Sequence, residues 1–202
     1  MFIYTDACEA EIPEIVQVHL KCFESYFLSS LGKTLLENYY KQFLKEDNLF
    51  VVAKDFENDK IIGFCMGYYS GSQAKNHFEQ KNKAALAKKL FFLCLKLDRA
   101  AISRCLKKIS TVFKQKNKHT TAEHANTASL LSICILNDYR GKEYGVSEAL
   151  LQNFEKKLIE NKIKSYTLSV YKDNGRARNF YLKNGMKCIA ERDSSAIYIK
   201  TC

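Results

Sequence analysis

Apolar positions along the chain switch between two periods, and the switches mark its elements. Phe2 to Thr5 has strand composition, and Ile15, Val18, His19, Cys22 and Phe23 then recur every three to four residues as one helical face. Ahead of that face, Thr5-Asp6 with Glu9 and Glu11 reads as a helix start with acids in the first turn, where Pro13 is tolerated. His19 on or beside the face is expected as a satisfied core histidine. Gly32-Lys33-Thr34 opens a second helix carrying Leu35, Leu36, Tyr39, Tyr40, Phe43 and Leu44. Leu49 to Ala53 and Ile61 to Tyr69 are strands joined by the polar turn Asp55 to Lys60, a hairpin. Gly63 and Gly67 weaken the second strand unless something approaches closely there.

A long segment, Gly71 to Ala128, separates this hairpin from the next strand. Within it Ala84 to Phe113 lacks Gly and Pro and predicts one or two helices, with Leu86, Leu90, Leu93, Leu97, Ala101 and Cys105 along one stripe. Phe91 to Leu95 is apolar all round, so that turn needs a cover. Lys114 to Asn126 reads as a polar loop.

The stretch Leu130 to Leu151 organises the rest. Leu130, Leu131, Ile133, Cys134, Ile135 and Leu136 suit a strand buried on both faces. Asn137 to Lys142 is a loop, and from Gly145 the positions Val146, Ala149, Leu150, Phe154 and Leu158 return at helical spacing. Arg140, Gly141, Lys142 and Gly145 at a helix start combine unpaired N–H groups, a positive dipole end, two cations and little bulk, which is how a chain cradles phosphate. On these local features an ordinary strand-to-helix connection with solvated charges fits equally well. Downstream, Lys164 to Val170 is a strand with Tyr166, Leu168 and Val170 alternating. Asn174 then caps a helix carrying Ala177, Phe180 and Tyr181, which Asn184-Gly185 ends in a left-handed cap before the closing hairpin of Cys188 to Ala190 and Ala196 to Ile199.

Two of these motifs, in this order, resemble the GNAT N-acetyltransferases. Arg140-Gly141-Lys142-Glu143-Tyr144-Gly145 is similar to that family's acetyl-CoA pyrophosphate loop, with Glu143 where glycine is usual. Asn174, Ala177, Phe180, Tyr181, Gly185 and Met186 are similar to its second signature at every position. The resemblance is strong over 130 to 200 and weak over the first 70 residues. It implies an α/β (α+β) GNAT fold: one domain over 1–202, a mixed sheet of about six to seven strands flanked by helices, and a basic helical insertion at about 72–128.

The resemblance also implies roles. Main-chain groups of Ile133, Cys134 and Ile135 would align the pantetheine arm and turn an N–H to the thioester oxygen, and Arg140, Gly141, Lys142, Glu143, Tyr144, Gly145 and Val146 would hold the pyrophosphate. Asn174 would hydrogen-bond the arm, and Tyr181 would be the general acid for the thiolate. Many relatives place a glutamate where Ser129 and Leu130 stand here, so the nearest candidate bases are Glu123 and His124, with a water relay or an early-helix residue as the other routes. Tyr26, Tyr39 or Tyr40 would face the acceptor cleft, with core packing the stronger reading for most of them. Cys134 is a poor acyl carrier, because a buried strand thiol ionises weakly.

Composition narrows the setting. Eight cysteines show neither CxxC nor Cys/His ligand spacing, and most have apolar neighbours, so buried free thiols in a reducing cytoplasm are expected and no metal. No apolar run is long enough to span a membrane, and no secretory signal is visible. The chain's net charge of +10 is concentrated: Ala74 to Lys118 holds thirteen Lys/Arg against two acids, +11, leaving −1 for the rest. A solvated charged face over a packed stripe ranks first for that segment, a lid over the acceptor with anionic-membrane proximity next, and nucleic-acid binding last. The expected activity is acetyl transfer from acetyl-CoA to a primary amine, with an amino sugar or other small amine as the first reading of the acceptor, by a monomer or homodimer. A protein or peptide acceptor is the alternative, as is a non-catalytic module binding an anionic partner through the basic helices.

Overall fold

The computed structural model describes residues 1–24, 26–96, 126–141 and 144–202, the side chains of 90–96 excepted. Seven strands make one mixed sheet: β1 (Phe2–Asp6), β2 (Phe50–Asp55), β3 (Lys60–Tyr69), β4 (Thr127–Ile135), β5 (Ser165–Tyr171), β6 (Lys187–Glu191) and β7 (Ser195–Thr201). Their spatial order is β1-β2-β3-β4-β5-β7-β6, and every neighbouring pair is antiparallel except β4 with β5. The helices are α1 (Ile12–Cys22), α2 (Phe27–Ser30), α3 (Lys33–Glu46), α4 (Ala74–Lys81), α5 (Lys83–Lys96), α6 (Val146–Glu160) and α7 (Gly175–Lys183).

Helices cover both faces of the sheet, so the central strands bury side chains on alternate sides. On one face α6 and α7 pack Leu150, Phe154, Leu158 and Tyr181 against Val51, Cys65, Leu130, Tyr166 and Tyr198. On the other, α1 and α3 pack Ile15, Val16, Leu36 and Tyr40 against Phe50, Val52, Phe64 and Met66. The close approach that Gly67 called for is α6 itself. A Cβ there would stand 2.5 Å from the Ser129 carbonyl oxygen and 2.8 Å from the Phe154 ring, and one at Gly63 would stand 2.6 Å from the Cys134 carbonyl oxygen.

Three local expectations shift. The first helix does not begin at Thr5-Asp6: β1 runs through Asp6, paired with Val51, and a 3₁₀ turn at Glu9–Glu11 leads into α1 with Pro13 in its first turn. In that turn the Cys8 N–H donates to the Glu11 carboxylate at 2.8 Å. The insertion turns helical earlier than expected, at Ala74, and its continuation beyond residue 96, with the polar loop to 125, lies outside the described residues. Its entry is anchored, since the buried Asp47 carboxylate at the end of α3 accepts from the Tyr69 N–H at 3.1 Å and the Ser72 hydroxyl at 2.7 Å. The cysteines are less buried than expected: Cys65 and Cys134 are in the core, but Cys8, Cys188 and Cys202 are exposed, and all six described thiols are free.

His19 is the core histidine its position suggested, 2% exposed, with Nδ1 2.6 Å from the Tyr40 hydroxyl and Nε2 3.1 Å from Ser29 Oγ. Burial lowers its pKa from 6.5 to about 4. The unfolded chain therefore takes up a proton that the folded chain refuses, so stability falls as pH drops from 6.5 and this loss is complete near 4. The ceiling on that loss is about 3 kcal/mol. Urea unfolding at a series of pH values should show the slope, and His19→Gln should flatten it.

Candidate functional site

The site begins where β4 and β5 part. They pair at Thr127↔Ser165, Ala128↔Tyr166 and Ser129↔Thr167 and at no later residue, while β4 stays paired with β3 as far as Ile135↔Gly63. A wedge therefore opens beyond Ser129 and Thr167, whose hydroxyls stand 3.3 Å apart at its apex. Thr167 carried no signal in the sequence, because nothing in an alternating strand says where its neighbour will leave it.

Along the open edge β4 carries a bulge. Gly67 pairs with Leu130 and Met66 with Ser132, so Leu131 has no partner opposite it. The extra residue inverts the alternation: Ala128 and Leu130 face the α6 side before it, and Ile133 and Ile135 face that side after it. This corrects the expectation of a strand buried on both faces, because Leu131 is 38% exposed and Ser132 and Ile133 are half-buried. Beyond Ser129 the main-chain groups of β4 that face β5 have no ladder partner in that strand, so they line the wedge. Cys134 points the other way, into the α1 side, where burial pushes its thiol pKa well up, as expected of a poor acyl carrier.

At the wide end of the wedge the chain makes a 3₁₀ turn, Asn137–Tyr139, where a plain loop was expected, and Arg140 closes it by donating from Nε to the Ile135 carbonyl at 2.6 Å. Gly145 then caps α6 with φ at +57°, a conformation that glycine adopts at no steric cost, and no side chain caps the helix. Among the described residues, the first N–H groups of α6 at Val146, Ser147 and Glu148 thus have neither an intrahelical acceptor nor a capping side chain, at the positive end of a fifteen-residue helix. Gly141 and Tyr144 are joined by a hydrogen bond from Tyr144 N to Gly141 O of 3.2 Å. Lys142 and Glu143 lie outside the described residues. The loop is braced from behind, where Phe2 of β1 meets Tyr139 and Tyr144 edge-on at 5.9 and 6.0 Å, and the Tyr139 hydroxyl donates to Asp55 at 3.1 Å.

The second motif lies across the wedge on α7. Asn174 accepts the Ala177 N–H on Oδ1 at 3.1 Å, so the cap occupies its oxygen and leaves its NH₂ for a ligand. Gly185, with φ at +82°, ends α7, and bonds from Met186 N to Tyr181 O and from Gly185 N to Leu182 O complete the left-handed cap. Between the caps, Tyr181 is 7% exposed, its ring against Phe180 and Tyr198. The hydroxyls of Tyr40, Tyr166 and Tyr198 are each held by a partner, His19, Glu155 and Arg178 respectively, whereas that of Tyr181 has no hydrogen-bond partner among the described residues. Burial pushes its pKa well above the ordinary phenol value, with the Cys65 thiol adding to the shift, so it stays a proton donor.

Of the three tyrosines set near an acceptor cleft, Tyr40 is fully buried and Tyr39 packs between Phe43 and Phe78. Tyr26 alone is exposed, its ring 6.3 Å from that of Tyr171 at the end of β5. The structure thus brings together Ile133, Cys134, Ile135, Arg140, Gly141, Tyr144, Gly145 and Val146 in one continuous unit, with Asn174 and Tyr181 on the helix after β5. Glu123 and His124, the candidate bases, lie outside the described residues. No group of three or more His, Cys, Asp or Glu side chains that could hold a metal occurs among the described residues, nor does any helix long and apolar enough to cross a membrane.

The model of the Acetyltransferase (GNAT) family matches residues 12–186. No curated protein matches the chain. Solved structures with a similar fold include PaiA N-acetyltransferase from Thermoplasma acidophilum in complex with coenzyme A, 16% identical with a TM-score of 0.63, covering 100% of this chain and 99% of that one. The ribosomal-protein-S18-alanine N-acetyltransferase from Escherichia coli is 13% identical with a TM-score of 0.58, covering 100% and 94%. Ard1 from Thermoplasma volcanium is 16% identical with a TM-score of 0.58, covering 99% and 97%.

Proposed function

The chain belongs to the GNAT acetyltransferase family, and from that premise we propose that it transfers the acetyl group of acetyl-CoA to the primary amine of a small acceptor by direct attack in a ternary complex. One observation carries the reading. The wedge between β4 and β5 widens toward the N-terminus of α6, which no side chain among the described residues caps, so a channel for an extended arm ends at a seat for a diphosphate. Acetyl-CoA supplies an activated acyl thioester.

The chain's own groups do the rest. Arg140 and the first N–H groups of α6 hold the diphosphate, and the free edge of β4 from Leu131 to Ile135 aligns the arm beside it. A main-chain N–H of that free edge donates to the carbonyl oxygen as negative charge develops on it, a donor fixed in place before the reaction starts. The amine attacks as the neutral base, the C–S bond breaks as the Tyr181 hydroxyl gives its proton to the departing sulfur, and the proton shed by the nitrogen passes through water to restore that hydroxyl. The Asn174 NH₂ donates to the arm. Tyr26 and Tyr171 form the wall that the acceptor meets.

The test is release of coenzyme thiol from acetyl-CoA in the presence of amino sugars, amino acids, polyamines and peptides, with coenzyme binding measured separately by calorimetry. Binding without release for any amine would leave a coenzyme-holding module and end the catalytic reading. Arg140→Ala should raise the KM for acetyl-CoA by roughly tenfold or more, the value of one charge-assisted hydrogen bond, and leave kcat within a few-fold. An unchanged KM would remove Arg140 from the diphosphate seat.

A further inference from the structure

We infer that the acceptor is an amino sugar, a primary amine on a polyhydroxylated ring, received by a strip of hydroxyls at Ser129, Ser132, Thr167 and Ser169 beside the rings of Tyr26 and Tyr171. The inference rests on the acetyltransferase reading above and names the acceptor of that same site. The strip follows from strand pairing. Residues directly opposite in a ladder share a face, so Ser129, paired with Tyr68, and Ser132, paired with Met66, both stand on the α1 side. The bulge at Leu131 is what lets two serines three positions apart share that side. Thr167 stands there too, its hydroxyl 3.3 Å from that of Ser129, and alternation along β5 sets Ser169 and Tyr171 on the same side. Tyr166, Leu168 and Val170 lie in the core of the opposite face.

This part of the face is open. Among the described residues, the core that α1 and α3 build there reaches Cys134 of β4 and includes no residue of β5 or β7. Ser169 is exposed, Tyr171 and Tyr26 are 45% and 39% exposed, and their rings stand 6.3 Å apart. Tyr26 is held in place from behind. Its ring meets that of Phe23 edge-on at 5.2 Å, and its N–H donates at 3.0 Å to the Phe23 carbonyl, which also accepts from the Ser29 hydroxyl.

The chemistry of that surface selects the ligand. Each serine or threonine hydroxyl both donates and accepts, as each hydroxyl of a sugar does, and neither partner brings a charge that must be desolvated. The tyrosine rings offer a flat face to the C–H side of a pyranose, whose hydrogens are drawn to the negative face of an aromatic ring. No strand position on this strip carries a carboxylate or an ammonium group, so a polyamine finds no anion there for its second charge and an acidic acceptor finds no cation. The strip starts at the apex of the wedge, where Ser129 meets Thr167, and runs along its β5 side. A ring seated on it therefore holds its amine beside the acyl arm that the wedge receives.

The experiment follows thiol release from acetyl-CoA by the full chain with glucosamine, galactosamine and mannosamine, and with cyclohexylamine, putrescine and a lysine-containing peptide, at equal concentrations of unprotonated amine. At least one amino sugar is expected to exceed cyclohexylamine in kcat/KM by roughly tenfold to a hundredfold, the value of two hydrogen bonds between hydroxyls. Ser169→Ala and Thr167→Val should each raise the KM for that amino sugar several-fold and shrink its margin over cyclohexylamine, with the KM for acetyl-CoA unmoved. A merely structural change would slow both amines alike and keep the margin. Cyclohexylamine, putrescine or the peptide matching every amino sugar would overturn the inference and leave the acetyltransferase reading in place, as would a margin indifferent to both substitutions. Coenzyme binding without release for any of the six amines would remove that reading, and this inference with it.

Discussion

Tyr181→Phe is expected to lower kcat by about a hundredfold or more, the usual contribution of a positioned general acid, while acetyl-CoA binds as before. The substitution removes one oxygen from a ring that is 7% exposed and packed on Phe180 and Tyr198, so the fold has nothing to lose but that hydroxyl. The other buried tyrosines make this a fair test. Removing the hydroxyl of Tyr40 or Tyr166 would strip His19 or Glu155 of a partner, whereas the Tyr181 hydroxyl has none among the described residues. Its upward-shifted pKa sets the pH dependence. The wild-type rate should rise as the acceptor amine loses its proton, and ionisation of Tyr181 should impose no fall below the ordinary phenol value of about 10. Steady-state kinetics across pH, with calorimetric titration of acetyl-CoA, check both parts. An unchanged kcat would remove Tyr181 as the acid.

Gly67→Val should destabilise the protein by about 3 kcal/mol or more, the upper end for overpacking. Two neighbours oppose the new side chain and neither can yield. The Ser129 carbonyl oxygen, 2.5 Å from the new Cβ, belongs to the last residue at which β4 pairs with both β3 and β5. The Phe154 ring, 2.8 Å away, is fully buried beneath α6. Gly175→Ala supplies the control: its Cβ would meet nothing within 4 Å and its φ is not positive, so it should be neutral or slightly stabilising. Urea unfolding of both variants measures the difference. A Gly67→Val protein as stable as the wild type would mean that α6 does not rest where described.

Much of this architecture was legible because each signal was local. Asn174 and Gly185 announce a helix start and stop through a side-chain cap and a left-handed turn, and both stand where their chemistry placed them. Gly63 and Gly67 announced close approach and received it. What escaped the sequence depends on partners. The run Leu130 to Leu136 is apolar but for Ser132, so its composition could not reveal that a bulge at Leu131 inverts its facing, and only Ser132 hinted at a wet position. Pairing with Val51 decided that Asp6 would extend a strand rather than begin a helix.

The bracing of the phosphate loop by Phe2 has a dynamic corollary. β1 is an outermost strand, paired on one side only, so it opens more readily than the strands inside it. When it peels away, Tyr139 and Tyr144 lose the ring that supports them, although α6 and β4 remain folded. Grip on a nucleotide would then fail at milder denaturant than the sheet does, and fusions that crowd the front of the chain would mimic that loosening.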